Sequence, residues 1–248
     1  MRVASGQVMS FQNSITIVAS PRPRVGKTLV ARLLTDYHQN ETRKVVSFDL
    51  NSGERAVMQF LPERTLAASV RDVNGQMALF DRLVTGDDTT KIIDLGHESY
   101  ESFFTLAHQI DFIEEARQRA IAVAVLFVAT PDQTSVTAYR NLRDRFARAM
   151  LVPVHNEMLG SAQHRDKYPI SGSGALTVKL PTLAPGLRKL IDSPPFSFAE
   201  SNMGNVPGVP LDAHAELQRW LRRIYLEFRE LDLRLLLADL SSSIRFGS

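Results

Sequence analysis

Apolar residues in this chain fall in short unbroken runs separated by segments with helical spacing. The first run, Ile15-Thr16-Ile17-Val18-Ala19, reads as a buried strand; Thr28 to His38 follows, with Leu29, Val30, Leu33, Leu34 and Tyr37 spaced to share a helix face. Further strand-like runs lie at Val45 to Leu50, Lys91 to Leu95, Ala120 to Ala129, Met150 to Val154 and Leu176 to Leu180. Helical periodicity fills Asn74 to Val84, Tyr100 to Arg119, Ser135 to Ala149 and Gly186 to Ile191. Such alternation predicts an α/β fold: a doubly wound, mostly parallel sheet with helices on both faces, followed by a long C-terminal helix.

The pattern divides the chain into four parts. Residues 1–13 read as an N-terminal extension without the apolar centre of a signal peptide, and residues 14–192 as one domain. Prolines 194, 195, 207 and 210 with glycines 204 and 208 make 193–210 a linker or surface excursion. Ser161 to Gly174 is polar and glycine-containing, which predicts a mobile loop. Residues 211–248 are expected to be mainly helical as far as Phe246, with Leu217, Leu221, Ile224, Phe228, Leu231 and Leu235 at alternating spacings of four and three. Trp220, Leu236 and Leu237 widen that stripe, which suits either a helix packed on the sheet or a helix–helix partner surface.

Composition narrows the classes. With 248 residues and 44% hydrophobic content the chain can bury one sizeable core. It has no cysteine, which excludes disulfides, thiolate metal sites and a cysteine nucleophile, and agrees with a cytoplasmic location. No run approaches the roughly 20 apolar residues of a membrane span. Lys and Arg total 29 against 27 acids, so net charge does not mark a nucleic-acid binder, and the six histidines show no metal-ligand spacing.

Between the first strand and first helix lies Ser20-Pro21-Arg22-Pro23-Arg24-Val25-Gly26-Lys27-Thr28. Strand, loop, Gly-Lys-Thr, helix is the context of a phosphate-binding P-loop, although Pro21 stands where the general motif has its first glycine. Backbone N–H groups of residues 24 to 28 (Arg24, Val25, Gly26, Lys27, Thr28) would line an anion. Lys27 would reach terminal phosphates and the Thr28 hydroxyl would ligate magnesium. An ordinary strand-to-helix turn is the alternative. Asp49 and Asp94 each close an apolar run, Val45-Val46-Ser47-Phe48 and Lys91-Ile92-Ile93, where metal-supporting carboxylates belong. Either alone would also serve as a carboxylate ending a strand.

These residues together resemble the ParA/MinD group of deviant-Walker ATPases, in the SIMIBI class of dimer-forming P-loop proteins, over residues 14 to 192. Arg22-Pro23-Arg24-Val25-Gly26-Lys27-Thr28 is in register with the family's Lys-Gly-Gly-Val-Gly-Lys-Thr, and Phe48-Asp49-Leu50-Asn51 with its strand ending Asp-x-Asp. Leu126 to Pro131, Val152 to Asn156 and Leu180-Pro181 are similar to later strands, the last two implying that Asn156 and Pro181 lie by an adenine base. The resemblance implies ATP and Mg2+ as cofactors, a homodimer with nucleotide at its interface, and control of a partner or cargo. Arg22 occupies the place of the lysine that crosses that dimer; arginine keeps the charge with a different, planar geometry. Pro23 and Arg24 replace two glycines, and Asn51 replaces the aspartate that polarises the attacking water. Binding with slow or absent hydrolysis is the expectation, with Lys27, Arg22 and Asn51 at the reacting end.

Other readings attach to particular residues. His97 and Glu98 follow the second carboxylate and are either a substitute base or the start of the next helix. Asn156-Glu157-Met158-Leu159 lacks the aspartate of the guanine-reading Asn-Lys-x-Asp, which favours adenine, though Asn156 also suits an ordinary turn; Asn141-Leu142-Arg143-Asp144 falls inside a helical pattern. Arg219, Arg222 and Arg223 form a small basic cluster, giving DNA weak support as a partner. The balanced acids and bases of the C-terminal segment argue against a membrane surface. An ATP-dependent ligase or synthase of the dethiobiotin or cobyrinate type shares the P-loop fold, but no signature for a carboxylate substrate is present. A scaffold that binds no nucleotide is the third class. A bacterial tyrosine kinase is disfavoured by a tail with one tyrosine, Tyr225.

Overall fold

The computed structural model describes residues 13–51, 56–160, 165–169, 176–203 and 210–244. Its strands are β1 (Ser14–Ala19), β2 (Val45–Asp49), β3 (Thr65–Ala67), β4 (Thr90–Asp94), β5 (Ala122–Val128), β6 (Met150–Asn156) and β7 (Val178–Leu180). The helices are α1 (Lys27–Asn40), α2 (Val57–Phe60), α3 (Val73–Leu83), α4 (Tyr100–Gln109), α5 (Phe112–Gln118), α6 (Gln133–Arg145), α7 (Pro185–Ile191), α8 (Phe198–Met203) and α9 (Leu211–Ile244). The strands form one sheet in the order β3-β2-β4-β1-β5-β6-β7, and every neighbouring pair is parallel.

Alternation along each strand builds two cores. On one face Val18, Ile92, Leu126 and Val154 pack with apolar residues of α1, α7, α8 and α9. On the other, Ile17, Ile93, Val125 and Phe127 pack with α3, α4, α5 and α6. Parallel strands covered on both sides must be apolar on both, which is why they appear in the sequence as unbroken runs. β1 lies between β4 and β5, and the chain leaves it in one direction before returning to the other. The loop after β1 therefore sits at the switch point, where the carboxyl ends of the strands open a crevice.

Several elements depart from the expected ones. β3 and α2, of three and four residues, did not register as patterns. The single helix expected over Tyr100 to Arg119 is broken at Asp111, whose φ of 50° lies in the left-handed region. Part of 193–210 is core rather than surface excursion: Phe198 and Ala199 are fully buried and Phe196 nearly so. Within Ser161 to Gly174, Tyr168 is buried; its hydroxyl donates to Thr130 O at 2.5 Å and lies 2.9 Å from the Ser135 hydroxyl. Residues 1–12, 204–209, most of 161–174, and Arg245 and Phe246 lie outside the described residues.

The C-terminal helix is part of this core. Leu217, Leu221, Ile224, Phe228, Leu231 and Leu235 are all buried, each contributing roughly 1.5–3 kcal/mol relative to exposure. Trp220 donates its indole N–H to Pro181 O at 2.9 Å, and Asp232 accepts from Tyr37 Oη and Arg43 Nη1 at 2.8 and 2.6 Å. Leu226, Leu233 and Leu237 face outward, as do Arg219, Arg222 and Arg223.

One turn apart on α1, Arg32 and Asp36 hold the segment leading into α8. The Arg32 guanidinium lies 3.5 Å from the Phe60 ring centre and donates to the carbonyls of Ile191 and Phe196. Asp36 accepts the backbone N–H of Phe198 at 2.6 Å. Burial pushes the Asp36 carboxyl up to about 6, against that hydrogen bond and the Arg32 charge. The folded protein then binds a proton that the unfolded chain gives up near pH 4. Asp36 thus favours folding at acid pH, and that contribution is lost as pH rises through about 6. Asp36→Asn should therefore gain on wild type between pH 4 and 7, by on the order of 2 kcal/mol in urea unfolding.

Candidate functional site

The site is built where β1, β2 and β4 end together. Val18 is in register with Asp94, and Asp94 with Asp49, so both carboxylates emerge beside the start of the loop. Two residues of that loop have positive φ, Arg24 at 58° and Gly26 at 97°. Glycine takes this conformation freely; for arginine the left-handed region costs about 1–2 kcal/mol. At Gly26 space is also short, because a Cβ there would come within 2.6 Å of Asn156 Nδ2. Gly26 precedes α1 as its cap without a side-chain hydrogen bond, whereas α3 and α6 are capped by Asp72 and Asp132. The first N–H groups of α1 thus have no internal acceptor among the described residues, and the helix dipole favours an anion there.

Around this terminus the side chains converge. Lys27 is buried and donates from Nζ to the carbonyl of Arg22 at 2.6 Å, closing the loop on itself. Burial pulls its ammonium down to about 8, with the charge of Asp94 opposing. Thr28 Oγ1 donates to Asp94 Oδ2 at 2.7 Å. Asp94 is fully buried, and its Oδ1 has no hydrogen-bond partner among the described residues. Burial pushes the Asp94 carboxyl up to about 7, with the nearby Asp49 charge adding to the shift and the Thr28 bond opposing it.

Asn51 joins the two carboxylates. Its Nδ2 lies 2.7 Å from Asp94 Oδ2 and 3.1 Å from Asp49 Oδ1, so one amide donates to both. A carboxylate at 51 would instead set a third negative charge against them. Asp49 is further occupied by backbone N–H groups, Asn51 N on Oδ1 and Met58 N on Oδ2. His97 and Glu98 are exposed in a short 3-10 turn, and Glu98 pairs with Arg71 at the surface.

The other side of the loop is held by two long-range contacts. Asn156, at the end of β6, donates from Nδ2 to Val25 O at 3.0 Å and accepts the N–H of Met158 through Oδ1. Its amide therefore fastens the loop to the sheet. Pro181 follows Leu180, the register partner of Asn156, and so lies at the same strand ends. Arg22 reaches Asp132, with Nε and Nη2 at 2.9 and 2.5 Å from Oδ1. Asp132 also caps α6 through Ser135 N and accepts from Thr130 Oγ1. The Arg22 hydrogen bond holds its carboxyl well below the usual carboxylate range.

The cluster thus contains Lys27, Thr28, Asp49, Asn51 and Asp94, with Arg22, Arg24, Val25 and Gly26 forming the loop. Asp132 and the loop-fastening role of Asn156 were missed from the sequence. The signal for Asp132 was its position after Pro131 with Ser135 three residues on, the spacing of a helix cap. Asn141 and Asp144 lie within α6.

No family model and no curated protein matches the chain. Among solved structures, a nucleotide-binding protein from Archaeoglobus fulgidus determined in complex with ADP is similar over 73% of this chain and 86% of its own. The identity is 15% and the TM-score 0.41. A likeness that distant carries no argument about the site, so the chemistry rests on the geometry of this chain. Among the described residues no helix is long and apolar enough to cross a membrane, and no group of three His, Cys, Asp or Glu gathers as a metal cage.

Gly26→Ala should lower stability through both its strained φ and its clash with Asn156, by about 1–3 kcal/mol in thermal or urea unfolding. In a double-mutant cycle with Asn156→Ala the clash component should disappear and the φ component persist.

Proposed function

We propose that this protein binds Mg-ATP at the loop of residues 20–28 and acts as a ParA/MinD-like switch, a nucleotide-dependent homodimer that controls a partner and hydrolyses ATP slowly or not at all. The observation that supports it most is the Thr28–Asp94 bond. It brings a fully buried carboxylate oxygen, without a partner among the described residues, to the N-terminus of α1, which has no side-chain cap, beside a buried lysine. Uncapped N–H groups call for an anion, and a carboxylate with a spare oxygen calls for a cation. A metal–phosphate pair supplies both.

The donor set suits magnesium, which takes one or two carboxylates, keeps several waters and completes its shell with phosphate oxygens. Thr28 and Asp94 would hold it, and when bound it neutralises phosphate charge. Asp49, with both oxygens engaged by backbone and Asn51, orients the cluster rather than offering a free ligand. Lys27, whose ammonium holds the Arg22 carbonyl, would turn to a phosphate. Asn156 keeps the loop fixed, and Asn156 and Pro181, at the neighbouring ends of β6 and β7, would border the base.

Weak turnover follows from Asn51. Its amide donates to Asp49 and Asp94, so it neutralises neighbouring charge and takes no proton from water. His97 and Glu98 stand outside the cluster and replace no base.

Mg-ATP should raise the melting temperature of wild type, as a ligand at 100 times its Kd adds about 2.7 kcal/mol of stability, and Lys27→Ala should lose most of that shift. Absence of any shift in wild type overturns nucleotide binding; a monomer mass by light scattering with saturating nonhydrolysable analogue overturns the dimer. Steady-state phosphate release should stay far below roughly 1 s⁻¹, and Asn51→Asp should raise it while lowering stability. A faster wild type defeats the account of Asn51.

A further inference from the structure

Two arginines flank Pro23, and the structure gives them opposite situations. Arg22 is used inside the chain at both ends: its guanidinium lies on Asp132 and its carbonyl receives Lys27. Arg24 is exposed and makes no hydrogen bond or ion pair with the described residues. Its backbone is nevertheless left-handed, at φ 58°, where glycine fits without strain. A loop that needed only this bend would be easier to form with glycine. The side chain therefore opposes the local conformational preference, as those of Thr42, Asp88, Asp111 and Ala120 do, but of these five only Arg24 lies in the loop beside Lys27.

We propose that Arg24 is the arginine that grips the terminal phosphate of a bound nucleoside triphosphate, and that Arg22 is a positioning residue that shapes the loop. The assignment rests on the phosphate-binding reading of residues 20–28 given above. Arg24 stands three residues before Lys27 in the loop whose N–H groups and lysine meet the anion, and its planar fork suits two oxygens of one phosphate. Arg22 would have to abandon both bonds to Asp132 before it could do the same. The extra phosphate of a triphosphate is what an additional cation at the loop's outer edge recognises, so Arg24 determines triphosphate over diphosphate.

The test is titration calorimetry of the full chain with Mg-ATP and Mg-ADP. Arg24→Gly removes the guanidinium and relieves the φ strain, so its nucleotide-free melting temperature should match or exceed that of wild type. Its affinity for Mg-ATP should fall by about tenfold to a hundredfold, as loss of a charge-assisted hydrogen bond implies, with Mg-ADP changed less than about threefold. Arg24→Lys should recover part of the difference. Arg24→Asn, also tolerant of the left-handed region, serves as a second variant should the glycine loosen the loop. Arg22→Ala should lower the melting temperature and weaken both nucleotides alike. Equal weakening of ATP and ADP by Arg24→Gly and Arg24→Asn, or none, overturns the assignment alone. A wild type that binds neither nucleotide overturns the reading beneath it as well.

Discussion

A carboxylate removed from water has to be hydrogen-bonded, paired or protonated, and among the described residues Asp94 meets this demand with only one of its oxygens. That oxygen takes Thr28 from the start of α1 and Asn51 from just beyond β2, so a helix, the last residue of β4 and the segment after β2 are fastened at one atom. The parallel register makes the arrangement available, since Asp49, Asp94 and Val18 lie abreast where their strands stop. Asn51 then acts as an amide spacer between charges. Lys27, buried with its ammonium turned to a backbone carbonyl, supplies positive potential without closing a salt bridge on Asp94.

The loop shows how its unusual composition hangs together. Where glycines would give freedom and rely on a ligand for order, this chain uses side chains to impose a shape. Pro23 fixes one φ, Arg22 fastens the loop to the cap of α6, and Asn156 fastens it to β6. Gly26 remains because a left-handed φ and the nearby Asn156 leave no room for a side chain. Arg22, Pro23 and Gly26 are thus parts of one anchored turn.

Much of the architecture was legible because a parallel sheet buried on both faces writes each inner strand as a continuous apolar run. β1, β4 and β5 appear in the sequence for that reason. β3 does not, since three residues at an edge, with Leu66 partly exposed, carry no detectable period. The break between α4 and α5 has neither glycine nor proline, and Phe112 and Ala116 continue the apolar spacing across it. α8 was hidden differently: its burial depends on Arg32 and Asp36, 159 to 164 positions away for the bonded pairs, which no local pattern encodes. The residues that gather where β4 meets the start of α1 were readable from motif spacing. Asp132 and the fastening role of Asn156 were not, because each bond spans more than 100 positions of sequence.

The two anchors of the loop differ in their access to solvent. The side chains of Arg22 and Asp132 are 41% and 33% exposed, so dissolved ions reach that pair, and at physiological ionic strength the screening length is about 8 Å. The Asn156–Val25 bond is neutral and buried, and ions leave it untouched. Ionic strength thus acts on one side of the loop only. Added salt weakens the Arg22–Asp132 anchor and leaves the Asn156–Val25 anchor intact, so at high ionic strength the loop is held mainly from the β6 side and by Lys27 on the Arg22 carbonyl.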